Sequence, residues 1–363
     1  MLYYLLYQHS QLVNVVRYPS FRAIAAGATA LIFGLLLYPP FIRWLKVVQH
    51  GASNVREDTP ETHRSKSGTP TMGGTLLLVA LLISCLLWGD LTDLKIHAVL
   101  AMTTCFGLIG FLDDYRKLKQ RNSKGLSGVV RIVAQTCIAC FSIALLYIQP
   151  DFDSRVSFPI INFERFNPDI YWAYIPLAII VIVGTANAVN LTDGLDGLAI
   201  GPVITSAFVF LVLAYAAGAV LLKTFVIADY LRIPHIDGAE ELTVYCASLM
   251  GAGIAFLWYN TYPASVFMGD VGSLAMGAGL GTLAVLTKNE IVSAIIHGVF
   301  LMEALSVILQ VLSFKLTGRR IFKMAPLHHH YELKGWAEPK IIVRFWIVSI
   351  MLALIGLASL KLR

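Results

Sequence analysis

Five groups of polar residues interrupt or end apolar stretches of this chain, and their types are those of phosphate and metal chemistry. Asp113-Asp114-Tyr115-Arg116-Lys117 sets two adjacent acids one helical turn ahead of a lysine. An ordinary ion pair at a helix end accounts for that spacing; a base or metal ligand beside a phosphate-binding lysine accounts for it equally well. Asn190-Leu191-Thr192-Asp193-Gly194-Leu195-Asp196-Gly197 places polar groups at i, i+3 and i+6, close to one helical face, with two glycines that let backbone approach a ligand. A plain polar turn explains the glycines but not the regular acids. Asn260 closes another apolar run, and Phe267-Met268-Gly269-Asp270-Val271-Gly272 puts a lone acid among glycines at the mouth of the next. Asp270 suits magnesium, which takes oxygen ligands from one or two carboxylates together with phosphate and water; a helix-capping role for it is compatible with that. His328-His329-His330, followed by Tyr331-Glu332, lacks the spacing of a chelating pair and makes a poor zinc site, but suits a wall of donors facing phosphates. Finally Lys66 precedes Gly68-Thr69-Pro70-Thr71-Met72-Gly73-Gly74, where proline at a helix start is ordinary and the glycines allow close packing or ligand contact.

The elements that must hold these groups are membrane helices. Of the 363 residues 57% are hydrophobic and 14% charged, and the mean hydropathy is +0.71, whereas soluble domains carry about 25% charged residues. A carboxylate in hydrocarbon costs several kcal/mol, so acids in such a chain mark a protein interior or an aqueous cavity. Stretches of roughly 20 apolar residues predict ten spans, near 21–45, 70–89, 95–113, 129–149, 170–190, 198–222, 242–260, 266–287, 291–314 and 341–361. The fold expected is all-α and polytopic, a single membrane-embedded domain over 1–363, because the spans use up nearly all the chain. The first 20 residues lack the early basic region of a cleavable signal and fit an interfacial helix.

Most of the 28 Lys and Arg residues fall in alternate connections, near 46–69, 114–128, 191–197, 261–265 and 315–340. The positive-inside rule places those connections in the cytoplasm and both termini outside. Every polar group described above then reaches the same face, which points to one site for an anionic, metal-bound substrate. The net charge of +6 reflects this bias and attraction to anionic headgroups, and requires no nucleic-acid partner. All five cysteines, Cys85, Cys105, Cys137, Cys140 and Cys246, lie within predicted spans; Cys137 and Cys140 are expected to be small packing residues rather than a redox or zinc motif.

At the segments 68–74, 111–117, 187–199, 260–273 and 325–336 the sequence resembles the phospho-N-acetylmuramoyl-pentapeptide transferases (MraY, translocase I), within the polyprenyl-phosphate N-acetylhexosamine-1-phosphate transferase superfamily. The resemblance spans essentially the whole chain. The acidic segments mark the superfamily, and Ala325-Pro326-Leu327-His328-His329-His330 marks the muramoyl-pentapeptide branch. It implies a ten-span bacterial inner-membrane enzyme of peptidoglycan synthesis, with a cytoplasmic active site and a homodimeric assembly. The reaction implied moves phospho-MurNAc-pentapeptide from UDP-MurNAc-pentapeptide to undecaprenyl phosphate, giving lipid I and UMP with Mg2+. Asp113 and Asp114 match the acid pair that handles the lipid phosphate, Asp270 the magnesium aspartate, and His328, His329 and His330 the essential histidines. Lys66, Thr71, Asn190, Asp193, Asp196, Asn260 and Phe267 match substrate-binding positions; Lys117 and Lys124 are further candidates for phosphate. Arg131 stands where many relatives carry lysine after Lys124-Gly125-Leu126, and arginine is not a neutral exchange for lysine at a phosphate site.

Two other functions compete. A transferase of the same superfamily using UDP-GlcNAc lacks the histidine segment. A transporter or lipid flippase predicts acids at the membrane midplane and a repeat relating two halves, and the sequence shows neither.

Overall fold

The structure is a computed structural model that describes residues 14–49, 68–120, 125–149, 152–161, 163, 165–221 and 224–361. Its helices are α1 (Pro19–Val48), α2 (Gly74–Trp88), α3 (Leu94–Gln120), α4 (Gly128–Tyr147), α5 (Tyr174–Thr192) and α6 (Ile200–Gly218). After α6 a short antiparallel pair, β1 (Val220–Leu221) and β2 (Phe225–Val226), leads into α7 (Ile227–Leu231). There follow α8 (Leu242–Asn260), α9 (Gly269–Leu286), α10 (Glu290–Ile296), α11 (Gly298–Thr317), α12 (Leu327–Glu332) and α13 (Glu338–Ala358). Among the described residues nine helices are long and apolar enough to cross a membrane, and α2 is a shorter apolar helix. The chain is a polytopic helical membrane protein.

Helix α9 is the axis of the bundle. Its 18 residues rise about 27 Å at 1.5 Å each, and 89% of them are buried, against 22% for α4 and α11. A helix enclosed on every side needs small residues where neighbours approach. Here Gly277 and Gly281 meet the backbone of Ala186 and Ile182 on α5, at separations that leave no space for a side chain. The opposite flank packs on α3, while α1, α6 and α8 form a second cluster to one side. Exposed Leu, Ile and Val on α1, α4, α11 and α13 face outward, as lipid contact requires.

The ends of the bundle carry different polar chemistry. At the end away from the acids of α3, Arg22 makes a two-pronged pair with Glu241 (2.5 and 2.7 Å). Glu241 also accepts from the Asp90 amide, so α1, the loop after α2 and the start of α8 are clamped together. Lys288 sits there over the rings of Phe152 and Tyr174, at 4.4 and 3.9 Å.

Several boundaries differ from the expected ones for local reasons. α3 runs seven residues past Asp113 to Gln120, because Lys117 and Lys119 in its last turn favour the negative end of the helix dipole. The expected connection at 114–128 is shorter accordingly. α2 starts at Gly74 rather than at Pro70. The Pro70 carbonyl accepts from Phe267 N, and the amides of Gly73 and Gly74 donate to the carbonyls of Phe267 and Met268, so this backbone is paired loop to loop. The ninth expected span is broken at His297 into α10 and α11. Cys137 and Cys140 are exposed on α4 and do not pack inside the chain; all five cysteines are free. Residues 1–13, the expected interfacial helix, lie outside the described residues; Asn14–Arg17 is a 3-10 turn.

Candidate active site

The acids meet because two glycines allow backbones to touch. Gly110 lies one turn before Asp113 on α3, and a side chain there would collide with the carbonyl of Asp270. Gly269 opens α9 with φ +74°, a conformation costly for other residues. A Cβ at that position would lie 2.5 Å from Asp114 Oδ2 and 3.0 Å from Thr71 Oγ1. Thr71 is held by a reciprocal pair with Gln49, each bond 3.0 Å. So α3, the first turn of α9 and the 68–74 segment converge on one point.

Lys117 Nζ lies 2.5 Å from Asp113 Oδ2, 3.7 Å from Asp114 Oδ1 and 2.6 Å from Asp270 Oδ2. The i,i+3 and i,i+4 pairs expected from sequence therefore exist, and the same ammonium reaches a third acid on another helix. Asp113 Oδ1 accepts from Leu126 N at 2.6 Å, and Asp114 Oδ2 from Val271 N at 3.2 Å. Asp270 Oδ1 accepts from Asn190 Nδ2 at 2.6 Å, and that amide also donates to Ser273 Oγ. Arg131, in the first turn of α4, places Nη1 3.6 Å from Asp270 Oδ2.

Three buried or half-buried carboxylates thus face two cations. One oxygen or more from each of Asp113, Asp114 and Asp270 lies within 4.8 Å of the others. This all-oxygen set can hold a metal ion, and its donor chemistry fits a hard divalent cation. The local electrostatics agree. Enclosure, with the charges of Asp270, Asp114 and Asp196 adding to it, pushes the Asp193 carboxyl up to about 8. The charge of a bound cation would offset that excess of negative charge.

The Asn190–Gly197 segment departs from the expected helical face. α5 ends at Thr192, and Asp193 caps it with non-helical backbone, so Asn190 and Asp196 point to different partners. Asn190 joins Asp270. Asp196 Oδ2 accepts from Ala264 N at 2.9 Å, and its own amide donates to Glu338. Asn260 Oδ1 accepts from Gly197 N, and its Nδ2 donates to Val266 O. Asn260 and Asp196 therefore tie this turn to the 261–268 loop. Phe267 belongs to that loop and is half-buried, with its backbone bonded to the 70–73 segment. Lys66 and Lys124 lie outside the described residues.

The three histidines occupy one short helix but have separate partners, as consecutive residues must. His329 Nδ1 lies 2.6 Å from Glu332 Oε2, and His330 Nδ1 accepts from Lys323 N. His328 turns inward to Glu303 of α11 and abuts Gly194, which joins the histidine helix to the acidic turn. Sequence reasoning passed over Glu303 and Ser273. A lone acid inside the apolar run 298–317 was the available signal for the first; a serine on a glycine-rich helix offers none.

The chain from 96 to 288 matches the model for glycosyl transferase family 4. Residues 66–78 match the phospho-N-acetylmuramoyl-pentapeptide-transferase signature 1. Over its full length the chain is 56% identical to the phospho-N-acetylmuramoyl-pentapeptide-transferase of Anaeromyxobacter sp. (strain K), and the alignment covers all of both proteins. The chain belongs to the phospho-N-acetylmuramoyl-pentapeptide-transferase family. The proteins of that name from Syntrophus aciditrophicus (strain SB) and Myxococcus xanthus (strain DK1622) are 54% and 53% identical. They cover 100% and 99% of this chain, and all of their own length is matched. The signature of the transferase family overlaps the 68–74 segment that docks beside Asp114. The glycosyl transferase match takes in Asp113, Asp114, Lys117, Arg131, Asn190 and Asp270, the residues gathered around the acid cluster.

Proposed function

We propose that this protein transfers phospho-MurNAc-pentapeptide from UDP-MurNAc-pentapeptide to undecaprenyl phosphate, forming lipid I and UMP. The observation that carries the reading is the cluster of Asp113, Asp114 and Asp270 around Lys117, in a chain related over its full length to transferases of that name. One lipid phosphate oxygen attacks the phosphorus next to the sugar, and the P–O bond to UMP breaks. Both reactants are anionic, so the site must offset charge and align attacking and leaving oxygens.

In this reading Asp113 takes the proton of the lipid phosphate. Lys117 and Arg131 offset charge on the two phosphate groups, and Asn190 and Lys117 hold Asp270 in place. Thr71, Asp193 and Phe267, with Lys66 and Lys124, contact the UDP-linked donor, while Asn260 and Asp196 hold the turn that presents Asp193. His328, His329 and His330 supply donors and acceptors around the phosphates. Asp270 with Asp114 would hold the cation, Mg2+, which when bound would supply Lewis acidity to the diphosphate. The polyprenyl chain dissolves only in the bilayer and the nucleotide only in water, so a site at the end of the bundle is where they can meet.

Product analysis tests the reaction. Purified protein with labelled UDP-MurNAc-pentapeptide, undecaprenyl phosphate and Mg2+ is expected to give labelled lipid I and UMP in equal amounts, and UDP-GlcNAc in place of the donor to give no lipid product. Lipid product from UDP-GlcNAc alone would transfer the assignment to the other branch.

We also propose that the site faces the cytoplasm with both termini outside, on the distribution of Lys and Arg. Single cysteines at exposed positions 262, 319 and 334, in a background lacking the native cysteines, are expected to react with an impermeant maleimide only from the cytoplasmic side of oriented vesicles. Labelling of any of these three from the outer side alone would reject the orientation.

A further inference from the structure

Glu303 stands in the second turn of α11, within an apolar run, and is sealed from solvent: its exposure is 0% and that of His328 is 1%. An isolated carboxylate there is expensive, and among the described residues the donors that meet it come from His328. His328 donates its backbone N–H to Oε1 and its ring Nδ1 lies against Oε2, both at 3.2 Å. The tautomer that pairs with an accepting carboxylate carries its hydrogen on Nδ1 and its lone pair on Nε2. That nitrogen is buried and has no hydrogen-bond partner among the described residues. It presses against Gly194, where a Cβ would overlap Nε2 and lie 2.8 Å from Cε1. A buried acceptor left without a donor is destabilising.

We propose that Glu303 is a positioning residue for the transfer reaction. It fixes His328 in the Nδ1–H form and aims Nε2 at the Asp193–Gly194 turn, where it accepts a hydrogen bond from an O–H or N–H of the UDP-linked donor. The inference rests on the proposed transferase activity and adds to it a second-helix partner for one histidine. Glycine at 194 is what allows the ring edge to reach the turn.

The test is steady-state kinetics on the purified full-length protein, varying donor and lipid separately. Gln at 303 has one accepting oxygen for two donors, so the ring loses its fixed tautomer. Because hydrogen bonds involving a charged group contribute about 1.5–3 kcal/mol, Glu303→Gln is expected to raise the donor KM about 30-fold. The KM for undecaprenyl phosphate should stay unchanged. Glu303→Asp, which keeps the charge, should recover about tenfold of that loss. In a double-mutant cycle, Glu303→Gln added to His328→Gln should cost less than about threefold more. A merely structural glutamate would lower the folded fraction without moving the donor KM, and its loss would add in full to that of His328→Gln. Either result, in protein that elutes as a folded species, overturns the proposal. Should Glu303→Gln fail to fold, Glu303→Asp carries the test, with an elevated donor KM supporting the proposal and a wild-type KM overturning it. Absence of lipid I from the wild-type protein would instead refute the transferase reading.

Discussion

Asp270→Asn is expected to lower turnover by about 10³-fold while the protein still folds and inserts. An amide keeps the shape of the carboxylate but not the charge that a magnesium ligand needs. The geometry adds a second loss. Asp270 Oδ1 receives Asn190 and Oδ2 receives Lys117 at 2.6 Å, with Arg131 at 3.6 Å. Asn can offer its one oxygen to Asn190 or to Lys117 and turns an NH2 toward the other, so one donor faces another. Folding should survive because the backbone around position 270 is held independently, by Val271 N to Asp114 and by Gly269 against Thr71 and Asp114. Two measurements check this: turnover under saturating substrates, and the rise in melting temperature on adding Mg2+. The variant should lose both the activity and the Mg2+-dependent rise. Turnover within tenfold of wild type at ordinary Mg2+ would remove Asp270 from the site.

What the sequence makes legible here is what is local. Asp113, Asp114 and Lys117 belong to one helix, so their i,i+3 and i,i+4 contacts follow from spacing alone, and they occur at 3.7 and 2.5 Å. The spans are legible for a similar reason: a membrane helix must be long and apolar along its own length. The meeting of these acids with Asp270 is not local. It depends on Gly110 having no side chain at the point where α3 crosses the start of α9, and nothing in the neighbourhood of Gly110 in sequence says which backbone it will touch. Arg131 shows the same limit, since only the packing of α4 against α3 and α5 sets its side chain beside Asp270.

The regular spacing of Asn190, Asp193 and Asp196 was the least reliable signal. Periodicity presumes a continuing helix, and this one stops at Thr192. Once it stops, Asp196 and Asn260 serve as ties between loops rather than as a row on one face. The break at His297 has the same character, because an apolar run of the right length does not reveal a local bend. Glu303 differs from these. Its position within an apolar run was visible, and the general cost of such a charge was reason enough to look for its partner.

Asp113→Asn separates two chemical roles for the remaining acid. Asp113 Oδ1 accepts from Leu126 N, and Oδ2 makes an ion-pair contact with Lys117 but, among the described residues, no hydrogen bond. Asn at this position keeps the Leu126 contact, and Lys117 keeps Asp270 as a partner, so the architecture should change little. If Asp113 removes a proton from the lipid phosphate, its loss matters most when that phosphate is protonated. The second phosphate pKa is near 6, so the variant should be about 10³-fold slower than wild type at low pH. Above that pKa the lipid dianion attacks without help, and the deficit should shrink by at least about tenfold; the low-pH loss of about 10³-fold lies within the range of general base catalysis. A covalent role predicts otherwise: an amide offers no attacking carboxylate at any pH, and the deficit would stay constant. We favour the base role, because a lipid phosphate oxygen is itself a competent nucleophile and a covalent step is unnecessary. A pH-independent deficit, or a phosphorylated wild-type protein isolated after exposure to the donor alone, would reject the base role.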